Sequence, residues 1–168
     1  MHTQIIYYSK YGATAEIARK LGDRLETDSI ADINAAPSIE AELVVVGSAI
    51  YSERPSREIL ELLADTPGLL QDRQVALFVV CLATVLRTVG QNRIGGPVYL
   101  EKMKSVLGCA PLAEQVFGGR LILDRLEPAE RQRQEAFYKK RGREYTDLDM
   151  MKEAEIDAFV DRIQAGIG

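Results

Sequence analysis

Apolar residues fall along the chain in two kinds of run. Ile5-Ile6-Tyr7-Tyr8, Leu43-Val44-Val45-Val46-Gly47 and Val75-Ala76-Leu77-Phe78-Val79-Val80-Cys81 are short and continuous. Strands read this way when both faces of a parallel sheet are covered. Between them, apolar positions recur at helical spacing: Ile17, Ala18, Leu21 and Leu25, then Leu100, Met103, Val106 and Leu107, and last Ile156, Phe159, Val160 and Ile163. Strands that alternate with helices predict an α/β fold, a three-layer α/β/α sandwich around a parallel sheet.

Turn and cap residues set the expected boundaries. The first strand covers about residues 4 to 9 and the first helix runs to about Glu26. A short polar strand near Ser29–Ile33 suits a sheet edge, and Asn34–Glu42, with Pro37, reads as loop. After the strand that ends at Gly47, Ser48–Pro55 reads as a second loop, and Ser56 caps a helix carrying Ile59, Leu60, Leu62 and Leu63. Pro67-Gly68 breaks that helix within Asp65–Asp72. Leu82–Gly96 is a long loop, Pro97 opens the next helix and Gly108 ends it. A fifth strand begins at Gln115-Val116-Phe117-Gly118-Gly119, and the pattern leaves its extension through Leu121–Leu123 open. A charged helical segment spans about Pro128 to Lys140, and the last helix runs from Met150 to Ile163. Five parallel strands fit the order 2-1-3-4-5, with a ligand beyond the carboxyl ends of the first, third and fourth.

A chain of 168 residues fits one domain, 1–168, and 46% apolar content gives it a substantial core. No apolar run reaches the length of a membrane span and no basic-then-apolar leader precedes the first strand, so a cytoplasmic protein is expected. Cys81 and Cys109 lack metal or redox spacing, and His2 is the only histidine. Neither metal binding nor His-based nucleophilic catalysis is expected from these residues. The net charge of −4 is uneven: residues 131–143 carry +5, leaving −9 elsewhere. An acidic body with one basic patch does not fit a general nucleic-acid binder.

The candidate chemistry begins at Ser9-Lys10-Tyr11-Gly12-Ala13-Thr14, a strand-to-helix turn with two hydroxyls and a glycine. Such a turn aims open N–H groups and the positive end of a helix dipole at one point, which suits a phosphate. The plainer alternative has Thr14 as a helix cap and Gly12 as a turn residue. Neither G-x-G-x-x-G nor a P-loop lysine motif is present, so a mononucleotide fits better than a dinucleotide.

Ser9-x-x-Gly12-x-Thr14 resembles the FMN-phosphate loop of flavodoxins. Val44-Val45-Val46-Gly47-Ser48-Ala49-Ile50-Tyr51 is similar to their third strand and first flavin loop, and Phe117-Gly118-Gly119 to their fifth strand. Within that superfamily the chain resembles most the group containing menaquinone-dependent protoporphyrinogen dehydrogenase. That likeness rests on Gly47-Ser48-Ala49-Ile50, Val79-Val80-Cys81-Leu82, a basic helical insertion over about 124–149, and Tyr145-Thr146-Asp147.

The resemblance implies FMN, its phosphate on Ser9, Lys10, Tyr11, Gly12, Ala13 and Thr14, and its ring between Ser48, Ala49, Ile50, Tyr51 and Leu82, Ala83, Thr84. It implies two-electron oxidation of a substrate with a quinone or other redox partner as acceptor. The Arg131–Arg143 segment then meets an anionic substrate or the inner membrane face, or is simply a solvated helix face. Glu53 and Asp147 are candidate acid–base groups, with surface solvation as the alternative. A homodimer stays open. Ser52-Glu53-Arg54 stands where flavodoxins often place a glycine beside the flavin, so redox control by that backbone is not expected to carry over. An electron carrier and a module without FMN are the competing readings.

Overall fold

The computed structural model describes residues 1–65, 70 and 72–168. Pro67-Gly68, expected to break the second helix, lies outside them. Three of the parallel strands come from the apolar runs, β1 (Thr3–Tyr8), β3 (Leu43–Tyr51) and β5 (Gln74–Cys81), and a fourth, β8 (Ala113–Gly118), from the segment around Phe117. With β2 (Ile30–Asp32) at the edge they form a parallel sheet in the order β2-β1-β3-β5-β8, the expected topology under this numbering.

Alternation along each strand divides the core. Ile5, Val45, Ala76, Phe78 and Val80 face α1 (Ala13–Arg24) and the C-terminal helix α5 (Glu153–Ile167), through Ile17, Leu21, Phe159 and Ile163. Ile6, Val44, Val46, Leu77 and Val79 face α2 (Arg57–Ala64) and α3 (Gly96–Leu107), through Ile59, Leu63, Leu100 and Met103. The Val, Leu, Ile, Phe and Met side chains among them each contribute about 1.5–3 kcal/mol of burial. The first layer is keyed by Phe78, Phe117 and Phe159, which meet edge to face at centroid distances of 5.7–6.3 Å.

Two connections differ from the sequence expectation, and a third resolves what the sequence left open. Ser48–Pro55 is not a loop: β3 continues through Tyr51, with Ser48 and Ala49 paired to Val79 and Val80, and turns back into β4 (Arg54–Pro55). Leu82–Gly96 carries its own hairpin, β6 (Arg87–Val89) and β7 (Asn92–Ile94), turned at Gly90. The fifth strand does not run on through Leu121–Leu123. After Gly118 the chain leaves the sheet, and β9 (Arg120–Leu121) pairs antiparallel with β10 (Leu148–Asp149). Met150, just past β10, packs on Gly118, where a Cβ would stand 2.3 Å from the Met150 carbonyl oxygen.

The β9–β10 pair closes the base of an excursion that holds a short 3-10 turn (Leu123–Arg125) and α4 (Pro128–Lys140). Ser56 caps α2 as expected, accepting the Ile59 N–H at 3.2 Å, and Pro97 lies in the first turn of α3.

Candidate functional site

The turn between β1 and α1 forms a cradle of open backbone N–H groups of the kind that suits a phosphate. Gly12 sits at φ +96°, a left-handed conformation, while the space around it is open, with nothing within 4 Å of an added Cβ. Backbone conformation alone therefore demands glycine there. The Ser9 hydroxyl accepts the Gly12 N–H at 3.1 Å and so braces the turn from within. No side chain caps α1, which leaves the first-turn N–H groups of Ala13, Thr14 and Ala15 open at the positive end of the helix. Thr14 is 1% exposed and its side chain lines the cavity described next.

That cavity, about 440 Å³, lies beyond the carboxyl ends of β1, β3 and β5. It is lined by Ala49–Ser52 and Val80–Leu82 from the ends of the paired strands β3 and β5, and by Gly119–Ile122. A volume of this size suits a cofactor or small substrate. Of the residues singled out in the sequence, Tyr11, Ala13, Thr14, Ala49, Ile50, Tyr51 and Leu82 line it, whereas Ser9, Lys10, Gly12, Ser48, Ala83 and Thr84 do not. Ser48 is fully buried and accepts the Ser56 N–H. The Ala83 carbonyl accepts the Gly96 N–H at 2.7 Å and the Cys81 thiol at 3.4 Å, and so fixes the foot of the β6–β7 hairpin.

Tyr51 meets Tyr8 and Tyr11 edge to face, at 6.3 and 5.9 Å. Burial pushes its phenol up to about 12, against the opposing pull of the Lys10 backbone, so it stays neutral. Burial likewise pushes the Cys81 thiol up to about 12, which leaves a weak nucleophile in the cavity wall. Ser52 and Glu53, at φ 49° and 58°, are the two central residues of the β3–β4 turn. Two left-handed residues in a two-residue hairpin loop form a type I′ turn, which ordinarily selects Asn-Gly. Glu53 is exposed on that turn, and Asp147 accepts the Leu123 N–H at 2.9 Å, so neither candidate acid–base carboxylate lines the cavity.

Lys10 does not point at the cradle. Its ammonium lies 2.8 Å from Glu130 and 3.6 Å from Glu127, and its pKa is raised, chiefly by the Glu130 hydrogen bond. The Tyr11 hydroxyl also donates to Glu130. The cation left facing the cavity from the sheet side is Arg120, itself paired to Glu16 at 2.7 Å and Asp149 at 3.0 Å.

A further wall comes from the excursion, whose Arg131–Arg143 segment the sequence reads as meeting an anionic substrate or the membrane face, or as a solvated helix face. Arg125, Leu126 and, from α4, Glu130, Arg133, Gln134 and Phe137 line the cavity. Arg125 and Arg133 make no ion pair among the described residues. A signal was present: positions 130, 133, 134 and 137 fall on one face of a helix, but that face is polar and does not read as a packing stripe.

A family model described as flavodoxin domain matches residues 4–148, and the chain belongs to that family. No curated protein matches it. Among solved structures it is similar to oxidised flavodoxin 1 from Bacillus cereus, at 16% identity and a TM-score of 0.50, over 82% of this chain and 95% of that one. A flavodoxin from the domain Archaea is matched at 14% identity and a TM-score of 0.49, over 100% of both chains. A WrbA-like flavodoxin from Agrobacterium tumefaciens is matched at 13% and 0.49, over 98% of this chain and 92% of that one. The likeness to the Bacillus protein is one of fold.

Proposed function

We propose that this protein is an FMN-dependent oxidoreductase that passes two electrons from an anionic substrate to a quinone, in the manner of menaquinone-dependent protoporphyrinogen dehydrogenase. The residues present fit FMN. The open N–H groups of Ala13, Thr14 and Ala15 suit its phosphate, and the cavity at the ends of β3 and β5, lined by Ala49–Ser52 and Val80–Leu82, suits a flat ring. When bound, the flavin supplies the electron-accepting chemistry, and the chain supplies binding, orientation and electrostatics. Substrate loses two electrons and two protons, and a quinone takes up both to become a quinol.

The observation that carries the reading is the added wall. Arg125 and Arg133 present unpaired positive charge to the cavity beside the exposed ring of Phe137. Guanidinium groups pair with carboxylates in two-point hydrogen bonds and an aromatic ring stacks on a flat apolar body, so the wall fits a planar acid. An electron carrier has no use for a second ligand wall. The remaining basic residues of the Arg131–Arg143 run, with Phe137 48% exposed, support reversible contact with an anionic membrane surface where quinone resides. No helix of the described residues is long and apolar enough to cross a membrane.

The test is anaerobic turnover of the FMN-loaded protein with a reduced tetrapyrrole carboxylate and menadione. Quinol formation that depends on both, and a KM raised on the order of tenfold in Arg133→Gln through loss of a charged hydrogen bond, supports the proposal. Quinone reduction indifferent to the tetrapyrrole contradicts it.

A further inference from the structure

Helix α4 is placed unlike the other four helices. Each of those buries at least two residues in a core, whereas α4 buries none over its 13 residues. Its inward face, Glu130, Arg133, Gln134 and Phe137, lines the cavity, and of these Glu130 reaches across to Lys10 and Tyr11. A helix without a packed apolar face has little of its own to hold it in place. What fixes its N-terminal turn is one cluster: Glu130 takes the Tyr11 hydroxyl and, at 2.8 Å, the Lys10 ammonium, while Glu127 stands 3.6 Å from that ammonium. The Glu127 N–H adds a long contact to the Tyr11 oxygen at 3.5 Å.

At the other end, Tyr138 leans on Tyr145 with ring centroids 5.3 Å apart, and the Tyr145 hydroxyl is buried with no partner among the described residues. The excursion is tied at its base by β9 and β10, which leaves a stiff helix on two connections.

We infer that Glu130 is a positioning residue: by gripping Lys10 and Tyr11 of the β1–α1 turn, it latches α4 as a movable wall over the cavity. The inference deepens the function proposed above and rests on it for the identity of the ligands, but the latch itself is a property of the empty chain. It joins the cofactor cradle to the substrate wall through residues adjacent in space and 119–120 positions apart in sequence. Through Tyr11, which lines the cavity and donates to Glu130, a ligand beside the turn shifts the wall, and a ligand on the wall reciprocally shifts the turn.

Limited trypsin digestion of the apoprotein, with cleavage after Arg133 followed by mass spectrometry, tests the latch without flavin. Glu130→Gln and Lys10→Met should each speed that cleavage on the order of tenfold, as loss of a charged hydrogen bond allows. Far-ultraviolet circular dichroism and melting temperature should stay near wild type. The double variant should fall short of the combined effect of the two single ones, because the Lys10–Glu130 contact is common to both. Tyr11→Phe, which removes the hydroxyl that donates to Glu130, should also speed the cleavage. Single-variant rates equal to wild type, or fully additive singles, would overturn the latch. Protection that behaves as expected here but is unchanged by added FMN would count against the flavin reading and leave the latch standing.

Discussion

The Ser48 hydroxyl accepts the backbone N–H of Ser56 across 2.9 Å, and both oxygen and residue are sealed from the cavity. This bond ties the end of β3 to the residue that caps α2, and it holds the β3–β4 turn against the body. Ser48→Ala leaves a part-buried N–H without its partner, at a cost of about 1–3 kcal/mol. Urea unfolding should show that loss. The preference for FMN over riboflavin, measured by titration, should not change, because Ser48 touches the scaffold and not the cradle.

Gly12 and Thr14 give the opposite pattern. With open space around Gly12, Gly12→Ala meets no clash, and its penalty is the roughly 1–2 kcal/mol of a left-handed L-residue. Gly12→Asn, which tolerates that conformation, should keep most FMN affinity. Thr14→Val removes a hydroxyl at the cradle and should weaken FMN by about 1.5–3 kcal/mol while leaving riboflavin nearly untouched. Equal losses for both ligands would place the phosphate elsewhere.

The β3–β4 turn stores conformational cost in Ser52 and Glu53, both left-handed without being glycine. Replacing the pair by Asn-Gly should raise stability by about 1 kcal/mol and the melting temperature with it. A lower melting temperature in that variant would mean that the two side chains contribute more than their backbone costs.

Cys81 and Cys109 should differ in reactivity. Cys109 is exposed, while Cys81 is buried with its thiol pushed up to about 12 from an ordinary 9.0. At pH 8 iodoacetamide should modify Cys109 alone. The linkage follows from the same shift. Between about pH 9 and 12 the unfolded thiol has released its proton and the folded one has not, so stability is full below 9 and falls through that window. The slope for one proton is at most about 1.4 kcal/mol per pH unit. Cys81→Ala should flatten the alkaline limb of stability against pH relative to wild type.

The sheet was legible because β3 and β5 are buried on both faces and spell themselves as unbroken apolar runs. The end of β3 was not, since Gly47-Ser48-Ala49 are small for a reason that lies in another strand. Phe78 sits opposite Gly47, and a Cβ there would fall 2.0 Å from its ring. The β6–β7 hairpin escaped notice because its positions are almost all exposed, so no buried face imposes an alternation. At the site, the β1–α1 turn announced itself through local spacing. The α4 wall depends instead on Glu130 finding Lys10 and Tyr11 far back in the chain, and a charged helix gives no sign of which cation it meets.

The central claim, that the chain holds FMN in the cavity between β3, β5 and α4, is tested most directly by the visible spectrum of the protein. The purified chain is equilibrated with FMN and passed through gel filtration to remove what is free. The account predicts yellow protein, with both flavin bands eluting in proportion to protein and lost selectively in Thr14→Val. Colourless wild-type protein after the column would contradict it.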